Sequence, residues 1–277
     1  MSVRPAAGWL RRRPGVARAL AATVARRMRV PTDTIAAPMF PAALKWLNVA
    51  SLRMDQQHGR PVLLEFFDFC RPASLRTLPY LQAWHERYAE AGLRVISVHA
   101  PGFPPAHDAD AVAAAVERLG VEHPVLLDPD LVLWNIYDNR GWPARYLFDQ
   151  ELRLFDVHFG EGGYHETEAA IQELLGIERE PVAHLHPEDD PEARIVVPSP
   201  DQEGAWSGPY EAGAVWAVLE GRGTITVNGQ ERGVEHTGAQ LLIAHDHHES
   251  GVLDLAVGDG VTCHAVCFTP GLAPPGA

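Results

Sequence analysis

The segment PVLLEFFDFCRPASLRTLPYL, residues 61 to 81, decides the fold. Its first part, Val62 to Phe67, is an apolar run broken by one acid, which is typical of a strand buried on both faces. Apolar residues then recur at helical spacing, at Leu75, Leu78, Leu81, Trp84 and Tyr88. The segment therefore predicts a buried strand followed by a helix, with Cys70 at the turn between them.

The alternation of strands and helices continues outward from this segment. Strand patterns occupy 93–99, 123–127, 144–148 and 152–159. A helical pattern follows Asp108 or Asp110 and ends at Gly120, and another surrounds Ile171 and ends at Gly176. These elements predict an α/β layer fold with a mixed sheet.

The remainder of the chain has a different pattern. Residues 180 to 192, EPVAHLHPEDDPE, combine three prolines with five acids and predict a linker. Later strand patterns lie at 215–219, 223–227, 240–244, 253–257 and 261–268. The pair Asn228-Gly229 is typical of a type I′ hairpin, so an all-β sandwich or jelly roll is expected here.

Composition excludes several classes of protein. The 277 residues are 46% apolar without a run long enough to span a membrane. The net charge is -13, and residues 180 to 277 hold 15 acids against three arginines, which argues against nucleic acid as a partner. Three cysteines are too few for a disulfide scaffold, so a cytoplasmic location is expected.

The first 30 residues differ from the rest because they contain eight arginines and no acid. Their apolar residues are mostly small, which favours a tail over a membrane-binding helix. Met28 could be a genuine start, and residues 1 to 27 are expected to be dispensable.

Cys70 is the candidate reactive residue of this chain. Free N–H groups at a helix start favour a thiolate, and Arg71 and Arg76 would lower the pKa of the thiol further. The alternative is an inert buried cysteine, since free cysteines are among the most buried residues.

Five further motifs carry a resemblance: WLNVAS at 46–51, LRTLPYL at 75–81, RVISVHAPGF at 94–103, NRGWPARYLFD at 139–149 and VHFGEG at 157–162. In this order and spacing they resemble the thioredoxin-like redoxin domain of DipZ-type proteins, related to the AhpC/TSA and TlpA groups. The resemblance implies a thioredoxin-like fold, a mixed central sheet flanked by helices. It also implies that Pro143 is the cis-proline beside the site and that Glu65 is the buried acid behind it.

The C-terminal segments VWAVLEGRGTITVNG at 215–229 and GVTCHAVCFTPG at 260–271 are similar to the β-sandwich appended to that domain in DipZ-type proteins. The expected organisation is a basic tail and lead-in over 1–42, a thioredoxin-like domain over 43–177, a linker over 178–192, a β-sandwich over 193–272 and a tail over 273–277.

One departure from the sequence pattern of the family limits which of its reactions this chain can carry out. The two redox cysteines of disulfide-reducing members fall at Arg71 and Ser74 here, so a dithiol cycle within this turn is excluded. What remains is a one-cysteine chemistry at Cys70, either peroxidase-like or through a mixed disulfide. The expected catalytic set is Cys70, Arg71, Ser74, Arg76, Glu65 and Pro143, and the expected substrate is a small thiol, a protein disulfide or a peroxide. The alternative is a binding scaffold whose β domain takes carbohydrate or peptide.

The other two cysteines and the clustered histidines are interpreted as residues without a catalytic or metal-binding role. Cys263 and Cys267 lie four apart on a predicted strand, about 13 Å apart on the same face, and are interpreted as core residues. Histidines cluster at 184–186 and 245–250, in the linker and in a predicted loop, where a metal site is not expected. No cofactor or metal is therefore predicted.

Overall fold

The structure, a computed structural model, describes residues 34 to 276. The expectations for the basic tail, for Met28 and for the removal of residues 1 to 27 lie outside the described residues.

A six-stranded mixed sheet forms the first half of the described chain. Its strands are β1 (Trp46–Leu47), β2 (Val62–Phe67), β3 (Arg94–His99), β4 (Val125–Leu127), β5 (Ala144–Phe148) and β6 (Leu154–Phe159). Their spatial order is β1-β4-β3-β2-β5-β6. Strands β2, β3 and β4 are parallel, and the other pairings are antiparallel. The predicted mixed sheet is confirmed.

Helices cover both faces of this sheet. They are α1 (Pro72–Tyr88), α2 (Ala109–Arg118), α3 (Val132–Ile136) and α4 (Tyr164–Leu175), with 3₁₀ turns at Met54–Gln57, Pro104–His107 and Pro187–Asp189. Helix α1 starts with Pro72, which needs no N–H partner there, and the Asp108 side chain caps α2. Helices α1, α2 and α4 pack on one face and α3 on the other. The β2 to α1 transition falls where the sequence predicts it.

The second half is built from antiparallel strands. They are β7 (Ile195–Val196), β8 (Gln202–Glu203), β9 (Gly208–Gly221), β10 (Gly223–Val227), β11 (Gln230–Val234), β12 (Gly238–Leu253), β13 (Leu255–Val257), β14 (Val261–Thr269) and β15 (Gly271–Leu272). They form sheets ordered β12-β9-β14-β8, β11-β10-β13 and β15-β7. Val227 pairs with Gln230, and Asn228 and Gly229 both have positive φ, as a type I′ hairpin requires.

The prediction of a loop at residues 245 to 250 is wrong. These residues belong to strand β12, whose pairing with β9 shifts register between Ala244 and Glu249. The irregularity explains the error, because a bulged strand loses the alternation of apolar and polar side chains.

A bulge in β14 corrects the expectation that Cys263 and Cys267 share one face. The register shifts between Cys263 and Ala265, which reverses the side on which later residues project. Cys263 packs against the core of the β region, and Cys267 joins the core cluster of the α/β region. Both thiols are free.

The predicted linker is held firmly against α1 and α4. The Tyr80 hydroxyl donates to Asp189 at 2.7 Å and accepts from the Leu185 N–H at 2.7 Å. The Val182 N–H donates to the buried Glu168 carboxylate at 2.8 Å. Residues 178 to 192 therefore pack as part of the structure, and the domain boundaries on either side stay predictions.

Candidate active site

The turn between β2 and α1 is organised by Asp68, a residue that is not among the site residues expected from the sequence. Its Oδ1 accepts from the Cys70 N–H at 2.8 Å, and its Oδ2 accepts from the Gly102 N–H at 2.7 Å. Burial raises the pKa of Asp68 to about 6, although both hydrogen bonds oppose the shift. An acid directly after a buried strand, and two residues before a cysteine, was the available signal.

Cys70 lies at the predicted place, but its thiol is fully buried. Burial raises the pKa of this thiol above its usual value, and the adjacent Asp68 carboxylate raises it further. The Arg71 guanidinium opposes that shift only in part. The expectation of a depressed pKa is therefore wrong for the folded state, because desolvation and a neighbouring acid outweigh the arginine and the helix start.

The Arg71 side chain contacts Trp142, the residue that precedes Pro143. The Arg71 guanidinium carbon is 4.3 Å from the Trp142 ring centroid and 5.0 Å from that of Phe103. The peptide between Trp142 and Pro143 is cis, as the resemblance implies. The residue at the first redox position thus covers the cis-proline segment with a cation–π contact.

Ser74, at the second redox position, is fully buried. Its hydroxyl oxygen accepts from the Asp68 N–H at 3.2 Å. This bond ties the first turn of α1 to the end of β2 and supports a structural role for Ser74 in the turn.

Arg76 is engaged by acids on another side of the helix. Its guanidinium contacts Glu161 at 2.7 Å, Glu188 at 3.4 Å and Asp189 at 3.9 Å. The expectation that Arg76 adds positive charge beside Cys70 is corrected, because three carboxylates take up that charge. Glu161 of the HFGEG motif joins α1 to the segment before α4 through this network.

Glu65 lies behind the turn on β2, fully buried and directly opposite Arg145 of β5. Its Oε2 accepts from the Ser97 hydroxyl at 3.4 Å. Burial raises the pKa of Glu65 to about 8, and Arg145 and Ser97 oppose the shift. The expected buried acid is present, with a buried arginine as its cross-strand neighbour.

This raised pKa predicts a pH dependence of stability. Glu65 binds its proton more tightly when folded, since its pKa rises from 4.5 to about 8. Its stabilising contribution is therefore complete below pH 4.5 and is lost progressively as the pH rises from there to about 8. We expect Glu65→Gln to reduce the decrease in the free energy of unfolding with rising pH. The reduction is at most about 1.4 kcal/mol for each unit by which folding displaces the pKa. Urea unfolding at about pH 6 and about pH 9 measures it. The exposed Glu151→Gln is the control, and parallel pH curves for wild type and Glu65→Gln would contradict the assignment.

The β region covers the turn. The Phe69 carbonyl accepts from the Ala239 N–H at 3.3 Å, and a Cβ on Gly238 would lie 2.8 Å from the Phe69 ring. Val218 and Cys267 complete the same buried cluster as Phe69 and Cys70. The sequence predicts two separate domains, and no local pattern in it indicates this contact.

The histidine clusters contact neighbouring side chains. Among residues 34 to 276, no group of three or more His, Cys, Asp or Glu side chains could hold a metal ion. His184 stacks on His165, and His245 contacts Tyr210 and Glu249. In the same part of the chain, no helix has the length and apolar character needed to cross a membrane.

A central mixed sheet, a strand-to-helix turn and a neighbouring cis-proline define the thioredoxin-like class of proteins, and this chain has that fold. No family model matches the chain. It is 32% identical over 142 residues to protein DipZ of Mycobacterium tuberculosis, covering 50% of this chain and 20% of DipZ. It is 31% identical over 139 residues to SUPPRESSOR OF QUENCHING 1, chloroplastic, of Arabidopsis thaliana, covering 50% of this chain and 13% of that protein. The chain thus spans about a fifth or less of these relatives.

For a shorter relative, the matched region is a larger share of its length. The thiol-disulfide oxidoreductase YkuV of Bacillus subtilis is 23% identical over 130 residues, covering 47% of this chain and 87% of YkuV. Among solved structures, the thioredoxin-like superfamily protein SPOA0173 matches with a TM-score of 0.46 and 23% identity, covering 52% of this chain and 99% of the other. A thiol-disulfide isomerase from Corynebacterium glutamicum matches with a TM-score of 0.45 and 23% identity, covering 51% and 98%.

Proposed function

We propose that this protein is a thioredoxin-like thiol oxidoreductase that uses Cys70 as its reactive thiol on a small substrate, a hydroperoxide in the first instance. The relatives named thiol-disulfide oxidoreductases support the general class. The position of Cys70, between the end of β2 and the start of α1, supports the assignment of the thiol.

The observation that carries the proposal is the pairing of Cys70 with Asp68. The Cys70 N–H donates to the Asp68 carboxylate at 2.8 Å, so the thiol lies beside an acid whose pKa is raised to about 6, close to neutral pH. A base with such a pKa accepts a thiol proton more readily than an ordinary aspartate does. Asp68 therefore supplies the proton acceptor that a buried thiol needs before it can react.

The proposed step balances as a two-electron oxidation. The Cys70 proton passes to Asp68, the sulfur attacks one peroxide oxygen, and the O–O bond breaks. The second oxygen leaves as an alcohol or water after taking a proton, and Cys70 becomes a sulfenic acid. An external thiol then forms a mixed disulfide with release of water, and a second thiol restores Cys70.

The covering β region favours a small substrate. Phe69, Cys70 and Ser74 are fully buried, so a protein disulfide has no direct access to the sulfur. A hydroperoxide or low-molecular-weight thiol needs only a local opening, which costs less than separating the two regions.

We expect mild peroxide treatment to place a dimedone-reactive sulfenic acid on Cys70 before Cys263 is modified. Mass spectrometry after dimedone labelling measures it in wild type and in Cys70→Ser. Cys263→Ser is the matched control, because Cys263 is a partly buried thiol on the separate core of the β region. Since the sulfenic acid can be short-lived, any Cys70 disulfide counts as oxidised. A fully reduced Cys70 beside an oxidised Cys263 would overturn the proposal.

The second candidate function is a non-catalytic binding scaffold, with the β region as the surface for carbohydrate or peptide. The full burial of Cys70 favours it, together with the absence of cysteine at both redox positions. On this alternative, Cys70→Ser leaves every interaction of the protein unchanged, and peroxide produces no selective oxidation at residue 70.

A further inference from the structure

Cys267 lies in the interface that covers Cys70. Across the four-stranded sheet, Ala239 pairs with Val218, and Val218 pairs with Ala265. Cys267 follows Ala265 by two positions on the same strand, so it projects from the same face. Ala239 of β12 donates its N–H to the carbonyl of Phe69, which is the residue directly before Cys70.

The burial of both cysteines agrees with this placement. Cys70 is 0% exposed and Cys267 is 3% exposed, and both belong to one continuous apolar cluster with Val218. The bulge in β14 causes this arrangement, because it turns Cys267 to the face opposite that of Cys263. An unbroken strand would have put both cysteines on one side.

Asp201 supplies Cys267 with a proton acceptor of its own. Strand β8 pairs with β14 at Glu203 and Ala265, which places Asp201 opposite Cys267 in the continuing register. The Asp201 Oδ1 accepts from the N–H of Phe268, the residue after Cys267, at 3.0 Å, which holds this carboxylate beside Cys267. Asp201 is exposed, so a proton that it accepts can pass to solvent.

We propose that Cys267 is the resolving thiol for Cys70, so that oxidation ends in a disulfide between the α/β region and the β region. This inference rests on the proposed oxidation of Cys70.

The chemistry is balanced with a hydroperoxide as the oxidant. Peroxide converts Cys70 to a sulfenic acid and is itself reduced to an alcohol or water. Cys267 gives its proton to Asp201, its sulfur attacks the sulfenic sulfur, and the hydroxyl group leaves and takes up a proton as water. Two thiols are oxidised and one peroxide is reduced. An external dithiol then reverses the disulfide.

The charges at the interface support such a pair. The Arg71 guanidinium lowers the pKa of both Cys70 and Cys267, although burial raises each pKa overall. One cation therefore stabilises the thiolate form of either cysteine. In this arrangement an arginine at the position of the family's first cysteine acts on two thiols that belong to separate regions of the chain.

The test is peptide mapping under non-reducing conditions after treatment with hydrogen peroxide. We expect a linked peptide pair containing Cys70 and Cys267 in wild type and in the control Cys263→Ser. In Cys267→Ser, we expect the dimedone adduct on Cys70 to rise about tenfold over wild type, because the sulfenic acid has lost its resolving partner. Asp201→Asn should slow formation of the disulfide without slowing loss of the Cys70 thiol.

The outcomes separate this inference from the proposed function. Equal dimedone labelling of Cys70 in wild type and Cys267→Ser, with no linked peptide, would overturn the resolving role and leave Cys70 oxidation intact. A Cys70 that stays reduced in every protein would overturn both. Because the linked peptide is sought in wild type, failure of a variant to fold does not affect the test.

Discussion

Replacing Val218 by aspartate is expected to expose Cys70 to reagents in solution. Val218 is fully buried in the cluster between the β region and the turn before α1. A carboxylate without a partner at this place costs several kcal/mol, and separation of the two surfaces relieves that cost. We expect labelling of Cys70 by an aromatic disulfide reagent to accelerate by about 100-fold, since local opening controls access to a buried thiol.

The control is Val197→Asp, because Val197 is 83% exposed and gains the same charge without burial. Cys263 is partly buried against the separate core of the β region, so its labelling rate in wild type is the reference, and a faster rate in the variant reports on unfolding of that region. Fast labelling of Cys70 with slow labelling of Cys263 indicates opening of the interface alone. Gly238→Ala provides a milder variant, because its Cβ would meet the Phe69 ring. Unchanged Cys70 labelling in a folded Val218→Asp protein would contradict the covering contact.

Placing cysteines at both redox positions is expected to give disulfide reductase activity that the natural chain lacks. Position 71 is the N-cap position of α1 and contacts Trp142 of the cis peptide, and position 74 lies in the first turn of the helix. The variant Arg71→Cys, Ser74→Cys would be made with Cys70→Ser to avoid competing thiols. We expect it to form a disulfide at this turn and to reduce small disulfides, whereas the wild type does neither.

Insulin reduction should depend on the covering β region as well. We expect the engineered dithiol to act slowly on insulin and about tenfold faster when Val218→Asp is added, because the protein substrate must reach the sulfurs. The single Arg71→Cys protein is the control, since it lacks the partner thiol. Strong insulin reduction by wild type would contradict the exclusion of a dithiol cycle.

Local sequence patterns predicted most of the α/β half. The apolar run of β2, the spacing of leucines in α1 and the glycine that ends α4 are short-range signals, and each appears at the expected place. The hairpin at Asn228-Gly229 was equally local, since it depends on two residues that tolerate positive φ. The bulges in β12 and β14 were not predictable, because register depends on the partner strand.

The candidate site was only partly predictable. The sequence pattern located Cys70, and the resemblance implied Glu65 and Pro143; the peptide before Pro143 is cis and Glu65 is buried. The pattern indicated the wrong direction for the pKa of Cys70, because desolvation depends on what packs over a residue. It also missed Asp68, whose role comes from hydrogen bonds to Cys70 and Gly102 across the turn.

The sequence by itself determined the strand-to-helix turn, the place of Cys70 within it and the absence of cysteine at positions 71 and 74. These depend on residue identity and on patterns a few residues long. Only the tertiary structure decided that Cys70 is buried and shares its cluster with Cys267. The two cysteines are far apart along the chain, and strand pairing, one bulge and the packing of the β region bring them into one cluster. Contacts between residues so far apart in the sequence depend on the whole fold and leave no periodic signal in the sequence.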